Sequence, residues 1–216
     1  MIIIPTIFAH NKKEFSVSLK KILPISKQIQ IDFMDGKFVK AKSVSLASIP
    51  HLKKYKQLFE AHLMTYSPQK YISAIKQKGF NKVLFHYEAI KNIQRIQELI
   101  SKIKKNKMEA WIVFNPSSNI TIIYNIINSL KDLNGIMLMG HTPGIEGLKL
   151  QENIINKIRE IRKQNKNIKI QVDGGINIKT AKILKNLGVN AINVGSYISK
   201  SKNPKKALRE LKKSIS

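Results

Sequence analysis

Residues 83–86 read VLFH and residues 191–195 read AINVG, and both stretches are apolar on consecutive positions instead of alternate ones. A strand of this kind has both faces buried, which is typical of a parallel sheet covered by helices. Short β-branched runs recur along the whole chain, at 2–8, 29–34, 58–64, 82–87, 109–114, 135–139, 168–173 and 190–195. The sequence therefore predicts eight strands of the type found in α/β proteins.

Segments with helical spacing of apolar residues lie between those runs, at 68–78, 92–106, 119–130, 150–165, 178–187 and 203–214. Pro68 and Pro204 suit the first turn of a helix, and Gly79 and Gly188 stand where helices should end. Eight alternating strand–helix units predict a closed, parallel (β/α)8 TIM barrel, as one domain over residues 1–216. The alternative is a doubly wound open sheet, but no GxGxxG motif follows the first strand.

Composition excludes several classes of protein. The chain has no cysteine, which excludes a disulfide scaffold, a zinc ribbon and a cysteine nucleophile. No apolar run approaches the ~20 residues of a membrane span. The apolar run 2–9 is short and has no basic residues before it, so it does not resemble a signal peptide. We expect a cytoplasmic protein without a membrane partner.

The charge is strongly positive, with 39 Lys+Arg against 13 Asp+Glu and a net charge of +26. Almost all of the positive charge is lysine, spread over the whole chain, and no arginine cluster is interleaved with aromatic residues. This distribution favours a lysine-coated surface over a specific nucleic-acid site, so we expect no specific nucleic-acid partner. The same positive field would attract a small phosphorylated substrate.

The scarce aspartates and histidines concentrate at the predicted C-terminal ends of strands: Asp32, Asp35, Asp173, His10, His62, His86 and His141. Active sites of TIM barrels lie at that end, so we expect these side chains to converge on the mouth of the barrel. Asp and neutral His are natural ligands of a divalent transition metal. Two aspartates from the second and seventh strands could also face each other across a substrate as an acid/base pair.

Two glycine-bearing stretches follow the last two strands, VDGGIN at 172–177 and VGSYI at 194–198. The loops after the seventh and eighth strands are the common phosphate site of TIM barrels, where backbone N–H groups hold the anion. Gly174, Gly175, Gly195 and Ser196 are therefore the predicted phosphate-binding residues.

The stretch QIDFMDGKFV (30–39) resembles the second-strand signature of the ribulose-phosphate 3-epimerase family, H-x-D-x-M-D-G-x-F-V. Other stretches resemble motifs of the same family, in the same order along the chain: IPTIFA (4–9), EAHLM (60–64), FHYEA (85–89), MLMGHTPGIEGLKL (137–150), VDGGIN (172–177) and VGSYI (194–198). The similarity spans nearly the whole chain.

The resemblance implies an isomerase that interconverts ribulose 5-phosphate and xylulose 5-phosphate through an enediolate. One divalent metal ion (Zn, Fe or Mn) would be bound, and Asp32 and Asp173 would be both metal ligands and the acid/base pair. His62 would be a third ligand. Gln30 stands where the family has histidine and is a weaker candidate for a fourth. The family also implies a homo-oligomer.

The resemblance also implies a set of substrate contacts: Thr6, Met34, Met64, His86, Met139 and Gly144. The three methionines would cap the planar intermediate, and the alternative for them is ordinary core filling. Because imidazole is a better metal ligand than an amide, Gln30→His should raise the affinity for the metal ion. If His10 or His141 already supplies the missing nitrogen, the substitution should add nothing. The loop after the sixth strand lacks the family's GFGGQ run and has Ile145, Glu146 and Leu148 in its place.

Two other functions compete with pentulose phosphate epimerisation. One is an epimerase that acts on another ketose phosphate, such as a hexulose 6-phosphate, since the altered loop after the sixth strand could reshape the site. The other is a barrel without catalysis that binds a sugar phosphate or another polyanion. Gln30 and the charge of +26 favour this reading, and the retained Asp32, His62 and Asp173 oppose it.

Overall fold

A computed structural model describes residues 1–216, and in it eight parallel strands close into a barrel. The strands are β1 (Ile2–Ile7), β2 (Gln28–Met34), β3 (Leu58–Met64), β4 (Lys82–His86), β5 (Glu109–Phe114), β6 (Gly135–Met139), β7 (Ile170–Asp173) and β8 (Ala191–Val194). Each strand pairs with the next, and β8 pairs with β1 through the register Ile2↔Ala191. The predicted (β/α)8 barrel is confirmed.

The helices follow the strands and pack around the outside: α1 (Lys12–Ile22), α2 (Ile72–Lys78), α3 (Ile93–Lys105), α4 (Ile120–Ser129), α5 (Glu152–Gln164), α6 (Ile178–Asn186), α7 (Ser196–Ser199) and α8 (Pro204–Ser214). The connection from β2 to β3 contains only two 3-10 turns, at Leu46–Ser48 and Leu52–Lys54. Another 3-10 turn, Tyr87–Ala89, follows β4. None of the helices has the length and hydrophobicity that crossing a bilayer would require.

Three helices differ from the sequence expectation, and one of them is the single turn α7, which was not predicted. The segment 68–78 divides into a 3-10 turn, Pro68–Lys70, and the short helix α2, which ends at Gly79 in the left-handed conformation (φ 97°). Helix α1 was not predicted, although the side chain of Asn11 caps it and Phe15 lies on its buried face. Seven of its eleven residues are lysine, serine or glutamate, which dilutes the apolar pattern, so the capping residue was the better indication.

The helices are held by apolar faces that pack on the barrel. In α3 the buried residues are Ile96, Leu99, Ile100 and Ile103, spaced three and four apart, and Asn92 caps the first turn by accepting a hydrogen bond from the Arg95 amide. This spacing places all four side chains on one side of the helix, against the outer face of the strands. The apolar core therefore lies between the helices and the barrel wall.

The inside of the barrel is polar at two levels. Gln30, Glu60 and Gln171 lie two residues before Asp32, His62 and Asp173 in β2, β3 and β7, so each pair faces the same side of its strand. We call Glu60, Lys82 and Gln171 the floor group, and Asp32, His62 and Asp173 the mouth group. All six side chains are buried, with exposures of 8% or less. The strands thus carry one polar layer deep in the barrel and one at its C-terminal end.

Candidate active site

The C-terminal ends of the strands surround a cavity of about 570 Å³ that is open to solvent. Its lining residues are Thr6, Phe8, Asp32, Met34, His62, Met64, Met139, His141, Gly144, Ile145, Glu146, Gly147, Asp173, Gly174, Gly175, Ile176, Asn193, Gly195, Ser196 and Tyr197. The structure therefore brings together the predicted catalytic, substrate-binding and phosphate-binding residues except Gln30 and His86, which lie deeper. Asp35 and His10, which were also expected at the mouth, do not line the cavity.

The mouth group is compact. One ligand atom from each of Asp32, His62 and Asp173 can be chosen so that all three lie within 4.8 Å of one another. His62 Nδ1 is 3.0 Å from Asp32 Oδ1 and 3.6 Å from Asp173 Oδ2. Asp32 and His62 are direct neighbours in the β2–β3 register, whereas Asp173 comes from β7, which is not adjacent to either strand. The two carboxylates thus approach the same point from different sides of the mouth.

Burial shifts the pKa values of all three residues in the mouth group and disfavours their charged forms. Desolvation raises the pKa of Asp32 to about 8 and that of Asp173 to about 7, and the charge of Asp32 adds to the second shift. Desolvation also lowers the pKa of His62 to about 4, so this imidazole is neutral near pH 7. Two buried carboxyl groups beside a neutral histidine form a site that a cation would stabilise.

The residues of the mouth group fit a divalent metal ion. Two carboxylates and one imidazole, with their donor atoms converging and buried, are a donor set for Zn, Fe or Mn. His10 and His141 are not members of this set. His10 is exposed and its Nδ1 is 3.0 Å from the Lys42 carbonyl oxygen, while His141 Nδ1 is 2.9 Å from the carbonyl oxygen of Thr142.

Gln30 is fully buried beneath the two carboxylates. Its Nε2 donates to Asp173 Oδ2 (2.7 Å) and to Asp32 Oδ1 (3.1 Å), and its Oε1 accepts from Asn193 Nδ2 (2.7 Å). The amide therefore presents its donor, and not its oxygen, to the mouth group. Sequence reasoning missed Asn193, although it is the one polar residue of β8 and is completely buried.

His86 does not line the cavity, and its predicted contact with substrate is not supported by its position. The ring is fully buried behind His62, with the two Nε2 atoms 3.0 Å apart and the ring centroids 5.1 Å apart. On the other side, His86 Nδ1 is 3.5 Å from Glu88 Oε2. The ring of His62 fills the space between His86 and the cavity.

The position of His86 suits it to orient His62. Desolvation lowers the pKa of His86 to about 4, so both rings are neutral and each has one N–H. If His62 Nδ1 keeps its lone pair for the mouth, its Nε2–H donates to His86 Nε2. His86 then carries its proton on Nδ1, which faces Glu88. This is the arrangement by which outer residues fix the tautomer of a histidine ligand.

The predicted phosphate-binding residues lie on the other side of the cavity, where backbones approach closely. Gly174 and Gly175 have φ angles of 104° and 70°. A Cβ on Gly174 would lie 2.7 Å from His141 Nε2, and one on Gly175 would lie 2.1 Å from the backbone nitrogen of Leu150. Only glycine fits at these two positions, and both residues line the cavity.

Glu146, from the altered loop after β6, lies next to this region. Its Oε1 lies 3.6 Å from the point that a Cβ on Gly195 would occupy, and its Oε2 is 3.3 Å from Lys200 Nζ. A carboxylate at this point would repel an anion bound near Gly195, although Lys200 offsets part of its charge.

Known proteins of one family resemble this chain along most of its length. Ribulose-phosphate 3-epimerase from Bacillus subtilis is 31% identical over 190 residues, which cover 85% of each chain. The cytoplasmic isoform of the enzyme from Oryza sativa subsp. japonica is 28% identical over 188 residues, covering 87% of this chain and 82% of the rice protein.

Among solved structures, 3-hexulose-6-phosphate synthase from Salmonella typhimurium matches with a TM-score of 0.77 and covers 100% of this chain and 98% of its own. Its sequence identity is 16%, so this similarity shows the fold alone. A sequence model of the Ribulose-phosphate 3 epimerase family matches residues 2–199. Together with the motifs at the mouth, these matches show that the chain belongs to the ribulose-phosphate 3-epimerase family of isomerases.

Proposed function

We propose that the protein is a metal-dependent epimerase that inverts C3 of a ketopentose 5-phosphate, converting ribulose 5-phosphate to xylulose 5-phosphate. One observation carries the proposal: Asp32 and Asp173, from strands that are not adjacent, place carboxyl oxygens within 4.8 Å of one another at the end of the barrel where TIM-barrel chemistry occurs. Inversion at one carbon requires two such groups.

The two carboxylates share the proton transfer. One removes the proton of C3, which is acidic because it lies next to the C2 carbonyl, and leaves an enediolate. The other returns a proton to the opposite face of the same carbon, which inverts the configuration. Which of Asp32 and Asp173 acts first depends on the direction of the reaction, so each must serve as both acid and base.

Asp32, His62 and Asp173 would hold a divalent ion, which would supply positive charge to stabilise the developing oxygen anion. The protein holds the ligand ring through His86, since a fixed His62 tautomer keeps Nδ1 directed at the mouth. Burial of the mouth group strengthens these electrostatic interactions.

The remaining lining residues fit a sugar phosphate. Met34, Met64 and Met139 offer apolar surface around the mouth group to a planar enediolate, and Thr6 offers a hydroxyl. Gly144, the pair Gly174–Gly175 and the pair Gly195–Ser196 line the same cavity. We assign the phosphate group to the N–H groups of these two pairs.

A second candidate substrate is another ketose phosphate, such as a hexulose 6-phosphate. The observation that favours it is the loop after β6, where Ile145, Glu146 and Gly147 line the cavity.

We further propose that the enzyme acts as a homo-oligomer in the cytoplasm, and that residues 1–216 are one domain. The rice relative is named as a cytoplasmic isoform, which supports the location.

The test combines metal content with activity. We expect the purified protein to contain close to one equivalent of Zn, Fe or Mn, to lose activity with a chelator, and to regain it when one of these ions is added. Ribulose 5-phosphate and a hexulose 6-phosphate are offered in parallel coupled assays. A protein that binds these sugar phosphates but turns over neither, with or without metal, would be the barrel without catalysis.

A further inference from the structure

A series of hydrogen bonds between buried side chains joins the floor of the barrel to the mouth. Lys82 Nζ donates to Gln171 Oε1 (2.5 Å), and Gln171 Nε2 donates to Asn193 Oδ1 (2.5 Å). Asn193 Nδ2 donates to Gln30 Oε1 (2.7 Å), and Gln30 Nε2 ends the series on Asp173 Oδ2 (2.7 Å). Three side-chain amides thus connect an ammonium group to a carboxylate, and we call Gln171, Asn193 and Gln30 the amide relay.

The direction of the amide relay is set at the floor. A lysine ammonium has only donors, so the amide that meets Lys82 must present its oxygen. Glu60 has only acceptors when ionised, and it receives Gln171 Nε2 (2.9 Å) as well as Lys82 Nζ (3.1 Å). Gln171 therefore has one orientation, because the reverse would place donor against donor at Lys82 and acceptor against acceptor at Glu60.

The orientation of Gln171 fixes the other two amides in turn. Since Gln171 offers an N–H, Asn193 must meet it with Oδ1 and present Nδ2 to Gln30. Gln30 must then accept with Oε1, which turns its Nε2 toward Asp32 and Asp173. The Gln30 oxygen is directed at Asn193, away from the point where the mouth carboxylates converge.

We propose that Gln30 is a positioning residue that holds the two carboxylates by hydrogen bonds and does not ligate the metal ion, and that Lys82 imposes this orientation through Gln171 and Asn193. The inference deepens the proposed function and rests on it for the metal ion and for the catalytic role of the two aspartates. It gives this chain a three-ligand metal site in which the place of a fourth side chain is taken by a donor.

The experiment uses Co²⁺ as a spectroscopic probe of coordination in the absence of substrate. Gln30→Met removes donor and acceptor at similar volume. Asn193→Asp replaces the donor facing Gln30 with an acceptor, so Gln30 should reverse and offer its oxygen to the ion. Asn193→Leu breaks the amide relay without reversing it. The double variant Gln30→Met/Asn193→Asp keeps the added charge without the amide, which makes it the control for charge alone.

We expect Gln30→Met and Asn193→Leu to keep the wild-type intensity of the cobalt d–d bands. Asn193→Asp should lower that intensity severalfold because one oxygen ligand is added, and the double variant should restore it. A loss of ligand field in Gln30→Met, or an Asn193→Asp spectrum identical to wild type, would overturn the proposal. Epimerase assays on the same samples separate this failure from a failure of the proposed function.

If the variants fold poorly or bind no cobalt, NMR of the metal-free protein tests the orientation of Gln30 instead. In the ¹⁵N-labelled metal-free protein, the Gln30 side-chain N–H₂ resonances should be protected from solvent exchange. Asp173→Asn should shift them, because Asp173 accepts from that nitrogen. Gln30 resonances that exchange rapidly, or that ignore this substitution, would contradict the inferred orientation.

Discussion

The mouth group and the floor group are both buried polar clusters inside one barrel, but they differ in charge balance. In the floor group, Lys82 Nζ is 3.1 Å from Glu60 Oε1, and Gln171 bonds to both side chains, so opposite charges meet. In the mouth group, Asp32 and Asp173 face a histidine that burial keeps neutral. The floor is complete as it stands, whereas the mouth needs a cation or protons.

This difference indicates separate roles for the two layers. Buried charges are tolerated when each has a partner and its hydrogen bonds are made, which is the condition of the floor. An unbalanced buried pair of carboxyl groups costs stability, and such strain concentrates where chemistry needs it. Substitutions in the floor should therefore change folding, while substitutions in the mouth should change turnover and metal binding.

The largest expected effect is in the mouth. Asp173→Asn keeps the shape of the side chain but removes the acid/base group, so kcat should fall about 1,000-fold, within the range for general acid–base catalysis. Asp32→Asn should do the same and also weaken metal binding. The conversion of ribulose 5-phosphate is measured, with Asp132→Asn as an exposed-loop control. Near-normal turnover of Asp173→Asn with an intact circular dichroism spectrum would remove Asp173 from the mechanism.

The second effect is in the floor. Lys82→Met leaves Glu60 buried without its partner, so the free energy of unfolding should drop by about 3–5 kcal/mol. Replacing both residues, as Lys82→Met/Glu60→Gln, should recover most of that loss. Urea denaturation measures it, and Lys163→Met, which breaks an exposed pair with Glu160, serves as the control without a measurable effect. A Lys82→Met protein as stable as wild type would end the contrast between the layers.

The third effect joins the two layers. A histidine at position 30 is a better ligand than an amide, but Asn193 still directs a donor at it. We expect Gln30→His alone to gain little, and Gln30→His/Asn193→Leu to bind Zn²⁺ about 10-fold tighter than wild type. Calorimetric titration of the metal-free proteins measures this. An equal gain in the single variant would show that Asn193 places no constraint on residue 30.

The fourth effect is the pH dependence of the metal-free protein. The pKa values of Asp32 and Asp173 are raised by burial to about 8 and about 7, so the folded state binds more protons than the unfolded state above pH 4. Stability from these groups is full at low pH and is lost as the pH rises through 7 to 8. The free energy of unfolding should therefore fall continuously between pH 6 and pH 8.5.

Urea titrations at the two pH values, with and without metal, provide the check. Saturating Zn²⁺ should reverse the trend, because an ion that binds only the folded state favours the ionised carboxylates. Stability that rises over this pH range without metal would mean that the two carboxyl groups are ionised in the folded protein.

The smallest effect concerns the phosphate region. Glu146→Gln removes a negative charge beside Gly195 while preserving the size of the side chain. We expect KM for the sugar phosphate to fall about threefold, roughly 0.6 kcal/mol at RT ≈ 0.59, with kcat unchanged. Glu152→Gln, at the start of α5, controls for net charge alone. A higher KM in Glu146→Gln would indicate that Glu146 contacts the substrate directly.

The barrel and most of the mouth could be predicted because the chain is short of acids. Consecutive apolar residues in VLFH and AINVG indicated strands buried on both faces. Asp32 and Asp173 fell near the C-terminal ends of two other strands, β2 and β7. The floor group could not be found in the same way. Glu60, Lys82 and Gln171 come from three strands, and only the closed register brings them into contact.

The orientation of Gln30 could not be predicted from the sequence either, because it also depends on contacts between strands. An amide has a donor and an acceptor at nearly the same place, and the choice between them depends on neighbours from other strands. His86 was misplaced because its motif lies at the end of β4, and the ring of His62 from β3 covers it. Both errors concern contacts across strands, which spacing along a single segment does not reveal.

The pairing of β1 with β8 also constrains how the protein is made. The edge of β1 must wait for its partner until about 190 further residues have been translated, roughly 10–40 s at 5–20 residues per second. During that interval the apolar strands emerge on the ribosome with unpaired edges that could join those of other nascent chains. With 39 basic residues against 13 acidic ones, such nascent chains would repel one another, which would oppose their aggregation during synthesis.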